Sequence, residues 1–323
     1  MVISVLLFIA GLMLLIKGGD WFVDGATGIA YRFRLPDIIV GATVVSIGTT
    51  LPEVMVSAAG ALSGQSSIAY GNAIGSIICN TALIAAISVA FQPGPIHSRT
   101  LKMPVIFFFV SAGVYCLAAY LLGGFPRWLG FLLLGIFGIY LFFTIRQGKQ
   151  STDSAPCDAK VTHPQEHKLW PELLLLVGGA AIIAVGADLL VDHGTIIAQK
   201  LGVPETVIAL TFVALGTSLP ELVTTVTSLR KGHATLGLGN VIGANIFNLV
   251  LVSGISVVLA PFRVPMGKTL WGVNASLVLD IPLMIAVMAL LTLPALARRK
   301  LSRWQGITLL AIYAAFCDVQ FAL

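Results

Sequence analysis

The sequence predicts an all-α polytopic membrane protein, with ten transmembrane helices in two inverted five-helix repeats and with helices 2, 3, 7 and 8 broken. Three observations carry this expectation. The 323-residue chain is 57% hydrophobic and 10% charged, with a mean hydropathy of +0.97. Apolar runs of about 20 residues recur along its whole length, which is what a helix needs to cross a bilayer, and period-2 alternation of the kind a transmembrane β-barrel shows is absent. Finally, the chain repeats itself. Gly48-Thr49-Thr50-Leu51-Pro52-Glu53 returns as Gly216-Thr217-Ser218-Leu219-Pro220-Glu221, and the segment from Gly71 to Asn80 returns from Gly239 to Asn248, both at an offset of 168 positions. Polar clusters duplicated inside apolar sequence point to an ion site built where two repeats meet.

The spans fall at 2–19, 36–62, 68–93, 103–122 and 128–146 in the first half. In the second half they fall at 170–190, 204–229, 235–260, 281–297 and 303–321. Residues 1–147 and 169–323 are the two repeats, and 148–168 is a polar linker too short to be a domain. The N-terminus has no basic n-region or cleavage site, so residues 2–19 read as a retained first helix. Lys and Arg set the orientation. With the N-terminus outside, inner loops carry fifteen of the nineteen basic residues and outer loops only Arg127, Lys200, Arg263 and Lys268. Both termini are then outside and the linker is cytoplasmic, in the inner (plasma) membrane of a cell. Five spans per half is an odd number, so the second half enters from the opposite face.

Other features exclude alternatives. The net charge of +5 sits in short loops and is no nucleic-acid footprint. Cys79, Cys116, Cys157 and Cys317 have no metal-type spacing, and no cofactor is expected. Asp20, Asp24, Asp188 and Asp192 read as capping or solvated residues at helix ends. The sequence lacks a His-Glu-x-x-His motif, a Gly-x-Ser-x-Gly motif and a nucleophile–base pair, which argues against an enzyme.

The duplicated motifs hold the chemistry. Pro52 lacks an N–H and its ring crowds the carbonyl four residues earlier, so the helix is expected to kink or break and free carbonyls near Ser46, Ile47 and Gly48. Thr49, Thr50 and Glu53 add oxygens within a turn, and Thr217, Ser218 and Glu221 do so in the second copy. Ser76 and Asn80 share a helical face in the third span, which also carries Asn72. The eighth span offers Asn240, Asn245 and Asn248. Carboxylate, hydroxyl and carbonyl oxygens suit Ca²⁺ or Na⁺ and suit zinc or copper poorly.

At these residues the sequence resembles the sodium/calcium exchanger family of the cation/calcium antiporter superfamily, and among its members the small bacterial inner-membrane type. The paired motifs match that family's α-repeats over essentially the whole chain. The resemblance implies that Glu53 and Glu221 are the central cation ligands. It also implies that Thr49, Thr50, Ser76 and Asn80 join Thr217, Ser218 and Asn248 around them, with the backbone carbonyls of Ser46 and Ala214. Four positions depart from the family pattern. Ile77 and Cys79 replace the usual Asn and Phe, Ala244 stands where many relatives have a hydroxyl, and Asn248 stands where some carry Asp. The implied function is exchange of Ca²⁺ for Na⁺ by alternating access. The alternatives are a cation/proton exchanger on the same fold and a Ca²⁺-binding membrane protein that does not transport.

Overall fold

A computed structural model describes residues 2–33, 35–96, 98–151, 169–201, 216–266, 269–270 and 272–322. It is an all-α polytopic membrane protein, and eight helices among these residues are long and apolar enough to cross a membrane. In chain order the helices are α1 (Val2–Phe33), α2 (Asp37–Leu62), α3 (Ser66–Phe91), α4 (Ser98–Leu117, extended by a turn to Leu122), α5 (Arg127–Ser151) and α6 (Leu169–Lys200). They continue as α7 (Leu219–Arg230), α8 (Ala234–Leu259), α9 (Ser276–Arg298) and α10 (Arg303–Ala322). Residues 202–215, which hold the start of the expected seventh span, and nearly all of the expected linker lie outside the described residues.

The chain forms two compact units, one of Met1–Thr49 with Phe142–Asn240 and one of Thr50–Leu141 with Val241–Leu323. In the first unit α1 and α6 run antiparallel. A Cβ on Gly11 would stand 2.9 Å from the Gly186 carbonyl oxygen, and one on Gly186 would stand 2.9 Å from that of Gly11. A Cβ on Gly18 would meet the Gly179 carbonyl, and one on Gly179 the Gly18 carbonyl. Lipid offers no hydrophobic drive for helices to associate, so close backbone approach over small residues supplies the attraction. Leu15, Phe22, Val23, Ala26 and Ile29 fill the remaining space against Leu176, Ile183 and Ala187.

Both helices are longer than expected. They run to Phe33 and Lys200, where 19 and 190 were the expected ends, so Asp20, Asp24, Asp188 and Asp192 lie inside helices and cap nothing. The glycine-lined packing face continues past the acids. Asp188 and Asp192 project from the exposed side, and Asp24 is paired with Lys231 at 2.7 Å. Pro36 ends the first run, because a residue before proline is pushed out of the helical region.

In the second unit Gly130 abuts Gly254, and Gly306 abuts Ala86 and Ala90. Phe247 takes the ring edges of Phe137 and Tyr140. Two-residue antiparallel pairs join Gly94–Pro95 to Lys300–Leu301 and Gly124–Phe125 to Phe262–Arg263. A small hairpin pairs Thr269–Leu270 with Val273–Asn274 in the segment that precedes α9. That helix starts at Ser276, five residues before the expected 281, with a wide turn over Ser276–Asp280.

Helix 2 is not broken where expected. The α-helix runs from Ser46 to Leu62 straight through Pro52, and the irregularity is a π-helical turn at Gly41–Val45, just upstream of the motif. Proline removes one hydrogen bond without necessarily ending a helix. Helices 3 and 8 are likewise continuous, with π turns that begin at Asn80 and at Asn248, positions related by the repeat offset. The described part of α7 starts inside its motif, with Ser218 as N-cap and Pro220 in the first turn, where proline costs little.

The repeat also extends to turn chemistry. Gly64 and Gly232 both take positive φ, 73° and 82°. Around them Gln65 N–H bonds the Gly60 carbonyl and His233 N–H bonds the Ser228 carbonyl, each at 2.8 Å. This is the hydrogen bond of a glycine-terminated helix, in which only glycine takes the left-handed position without strain.

Candidate cation site

Each unit carries a set of motif residues, and almost all are withdrawn from the surface. In the first unit Ser46, Thr49, Ser218 and Glu221 are buried and Thr217 is half-buried. Ala214 lies outside the described residues. The Ser46 hydroxyl donates to the Gly41 carbonyl at 2.8 Å, five residues back, and so satisfies the first carbonyl of the π turn. The Asn240 carbonyl lies 2.9 Å from the same hydroxyl and shares its one proton with Gly41. The Thr49 hydroxyl donates to Asn240 Oδ1 at 3.1 Å and lies beside the Glu221 carboxylate. Asn240 thus fixes two motif hydroxyls of α2 at once. α8 can come this close because a Cβ on Gly41 would collide with the Leu236 carbonyl, and one on Gly239 with the Ile38 carbonyl.

In the second unit Thr50, Glu53, Ser76, Asn80 and Asn248 are all buried. Asn72 Nδ2 donates to the Glu53 carbonyl at 3.1 Å and to Ser57 Oγ at 2.8 Å, which holds the turn that bears the carboxylate. Ser253 Oγ donates to the Asn248 carbonyl at 3.0 Å, again five residues back across a π turn. Asn245 Nδ2 donates to Thr81 Oγ1 at 2.7 Å. The Thr50 and Ser218 hydroxyls and both polar atoms of the Asn80 and Asn248 amides are buried with no protein partner. Buried polar atoms are nearly always satisfied, so groups of this kind await a ligand or water. Amide and hydroxyl oxygens are hard donors, of the kind that Ca²⁺ takes. Among the described residues no three His, Cys, Asp or Glu side chains gather as a transition-metal site would require.

Asn72 and Asn240 hold motif residues in place and are absent from the ligand set that the sequence implied. Their signal was present in the sequence: they are equivalent residues, each next to a glycine in an apolar span.

A model of the family described as "Sodium/calcium exchanger protein" matches residues 3–146 and 172–322. The sodium/calcium exchanger MaX1 of Methanosarcina acetivorans is 30% identical, with 99% of each chain covered. The inner membrane protein YrbG of Escherichia coli is 36% identical, over 81% of each. Among solved structures, the sodium-calcium exchanger NCX_Mj superimposes with a TM-score of 0.80 at 32% identity, covering 97% of each chain. With a family model matched across both halves and full-length relatives of this similarity, the chain belongs to the sodium/calcium exchanger family.

Proposed function

We propose that the protein is a secondary antiporter that exchanges Ca²⁺ for Na⁺ across the cell's inner (plasma) membrane by alternating access, with Glu53 and Glu221 as shared cation ligands. The observation that carries this reading is the complete burial of two carboxylates at equivalent positions of the duplicated motif. Intramembrane acids are costly and mark ion paths. Two carboxylates carry a charge of about −2, which one Ca²⁺ neutralises and several Na⁺ can neutralise in its place. Moving the empty, doubly charged site through a low-dielectric barrier is unfavourable, and that couples the two flows. Thr49, Thr50, Ser76, Asn80, Thr217, Ser218 and Asn248 complete the ligand set, with the carbonyls of Ser46 and Ala214.

Ten crossings in two inverted repeats, residues 1–147 and 169–323, fit the reading. In the antiparallel α1–α6 pair, the Gly11–Gly186 contact becomes the Gly179–Gly18 contact when the 168-residue offset is applied, as a two-fold axis in the membrane plane requires. The basic residues favour a cytoplasmic linker and external termini. A cysteine placed at 160, on a background without native cysteines, should resist labelling from outside intact cells.

The decisive experiment is uptake of radiolabelled Ca²⁺ into proteoliposomes driven by an outward Na⁺ gradient. Uptake that collapses when the gradient is removed supports the reading. Uptake driven by a proton gradient without Na⁺ replaces it with cation/proton exchange, and Ca²⁺ binding without flux replaces it with a non-transporting binder.

A further inference from the structure

Helix α7 carries hydroxyls that neither the motif nor the packing uses. Thr224, Thr225 and Ser228 follow Glu221 at intervals of three, four and seven residues, so all lie on the carboxylate's side of the helix. They are at most 2% exposed. Their oxygens have no hydrogen-bond partner, although a hydroxyl in a membrane helix has an easy one in the carbonyl four residues back. Thr27, Thr43, Thr81, Ser111, Ser256 and Thr292 each take that bond in this chain, at 2.6 to 2.9 Å. Thr224, Thr225 and Ser228 do not. Val226, on the other side of the helix, is outward-facing, so the hydroxyl face is the interior one. At the equivalent positions after Glu53 the chain reads Val56, Ser57 and Gly60, and the single hydroxyl there, Ser57, is satisfied by Asn72.

We propose that Thr224, Thr225 and Ser228 form a one-sided approach for Na⁺ along α7, from its Lys231 end to Glu221, and this rests on the exchange reading above. The steps are the right size: from Ser228 to Glu221 is roughly 10 Å along the axis, or two moves of one turn each. Hydroxyl oxygens are hard ligands that replace part of an alkali cation's water shell. They carry no charge, so they compensate the dehydration of a divalent ion poorly and suit the monovalent one. The approach exists in one repeat only, so the two faces of the membrane differ in how Na⁺ reaches the site.

The test is Thr224→Val and Ser228→Ala, which remove hydroxyls with little change of shape, beside Thr224→Ser, which keeps the hydroxyl and loses the methyl. Each is reconstituted in vesicles of known orientation, and Ca²⁺ exchange is followed as Na⁺ is varied at one face at a time. The expected result for T224V and S228A is a half-activating Na⁺ concentration raised about three- to ten-fold at the face where Lys231 emerges, the loss of one ligand-strength contact. The value at the other face and the Ca²⁺ half-saturation stay within a factor of two, and T224S behaves as wild type. Unchanged Na⁺ dependence in T224V and S228A overturns the approach while leaving the exchange reading intact. So does an equal change at both faces, or a T224S defect as large as that of T224V, which marks a packing role. A wild type that moves Ca²⁺ with no response to Na⁺ overturns both.

Discussion

After Glu53 the chain reads Val56, Ser57, Ala59 and Gly60, and at the matching positions after Glu221 it reads Thr224, Thr225, Thr227 and Ser228. The asparagines that serve the motifs differ in the same spirit. Asn72 acts as a donor, to the Glu53 carbonyl and Ser57. Its equivalent Asn240 acts as an acceptor, for Ser46 and Thr49. A third contrast is Ile77 against Asn245: the first is plain packing, while the second donates to Thr81 and to Met288 Sδ at 3.2 Å. Duplication therefore fixed the acids, the proline and the helix-ending glycines, and left the surrounding hydrogen bonds free to diverge.

The largest effect should come where the halves match. Glu53→Gln and Glu221→Gln preserve shape and remove charge, and each should lower Na⁺-driven Ca²⁺ exchange about 100-fold or more with near-normal expression, since losing a charged ligand costs about 3 kcal/mol or more. Initial flux rates in proteoliposomes measure it. A strong defect in one variant and normal exchange in the other would break the equivalence of the two acids.

The α1–α6 pair offers a second test of likeness, read as stability. Gly11 and Gly179 are related by the repeat offset, and at either one a Cβ would lie within 3 Å of the partner helix's backbone. Gly11→Ala and Gly179→Ala should each cost about 1–3 kcal/mol through overpacking. Gly178→Ala enters open space and should be neutral or slightly stabilising, through its better helix propensity. Thermal denaturation in detergent separates the three, and unequal losses at Gly11 and Gly179 would argue against a two-fold relation.

The asparagines should show unlikeness of moderate size. Asn240→Ala takes the side-chain acceptor from Thr49 and leaves the backbone carbonyl near Ser46, so it should reduce exchange about five-fold, the cost of about one hydrogen bond. Asn72→Ala releases a backbone carbonyl that keeps its helical bond and a serine beyond the motif, so about a two-fold reduction is expected. Flux measured at saturating and at limiting Na⁺ compares them, and equal defects would mean that donor and acceptor roles are interchangeable.

Much of the molecule is legible in its sequence. Composition and run length locate most helices to within a few residues, as for α2, α3, α8 and α10. The duplicated Gly-Thr-x-Leu-Pro-Glu segments point to Glu53 and Glu221, since an acid inside apolar sequence is costly to keep unless it serves an ion. What hydropathy misses is the continuation of α1 and α6 past Asp20 and Asp188, because a window of hydropathy stops at charges. The helix itself stops only where packing or a residue such as Pro36 ends it. Proline chemistry places the irregularity of α2 at Pro52, whereas the π turn sits at Gly41–Val45. The turn's position depends on Ser46 reaching Gly41 and on α8 packing against Gly41, both tertiary facts. The free hydroxyls of α7 are visible as letters, but whether a threonine bonds back to its own helix is settled only by its rotamer and surroundings.

The smallest effect concerns the turn after each motif helix, which shares its glycine and its backbone hydrogen bond in both copies but carries exposed Gln65 in one and His233 in the other. His233 Nδ1 and Asp37 Oδ2 are 2.8 Å apart, with both side chains about a quarter exposed. The edge of Tyr31 meets the imidazole ring at a centroid distance of 6.4 Å. The hydrogen bond to Asp37 raises the histidine's pKa above its usual 6.5. Partial burial opposes this, the charges of Asp37 and Asp24 add to it, and Lys231 works against it. A raised folded-state value means that protonated His233 stabilises the fold. The contribution is complete below about pH 6.5, the unfolded value, and is lost as pH rises through the folded value. A partly exposed pair of this kind contributes about 1 kcal/mol or less. The wild-type melting temperature should therefore fall slightly between roughly pH 6 and 8. His233→Gln, which installs the first half's residue, and Asp37→Asn should each flatten that slope. Melting curves at closely spaced pH values measure it. A slope that survives His233→Gln would move the pH dependence to another group and leave the two turns alike in stability as well as in geometry.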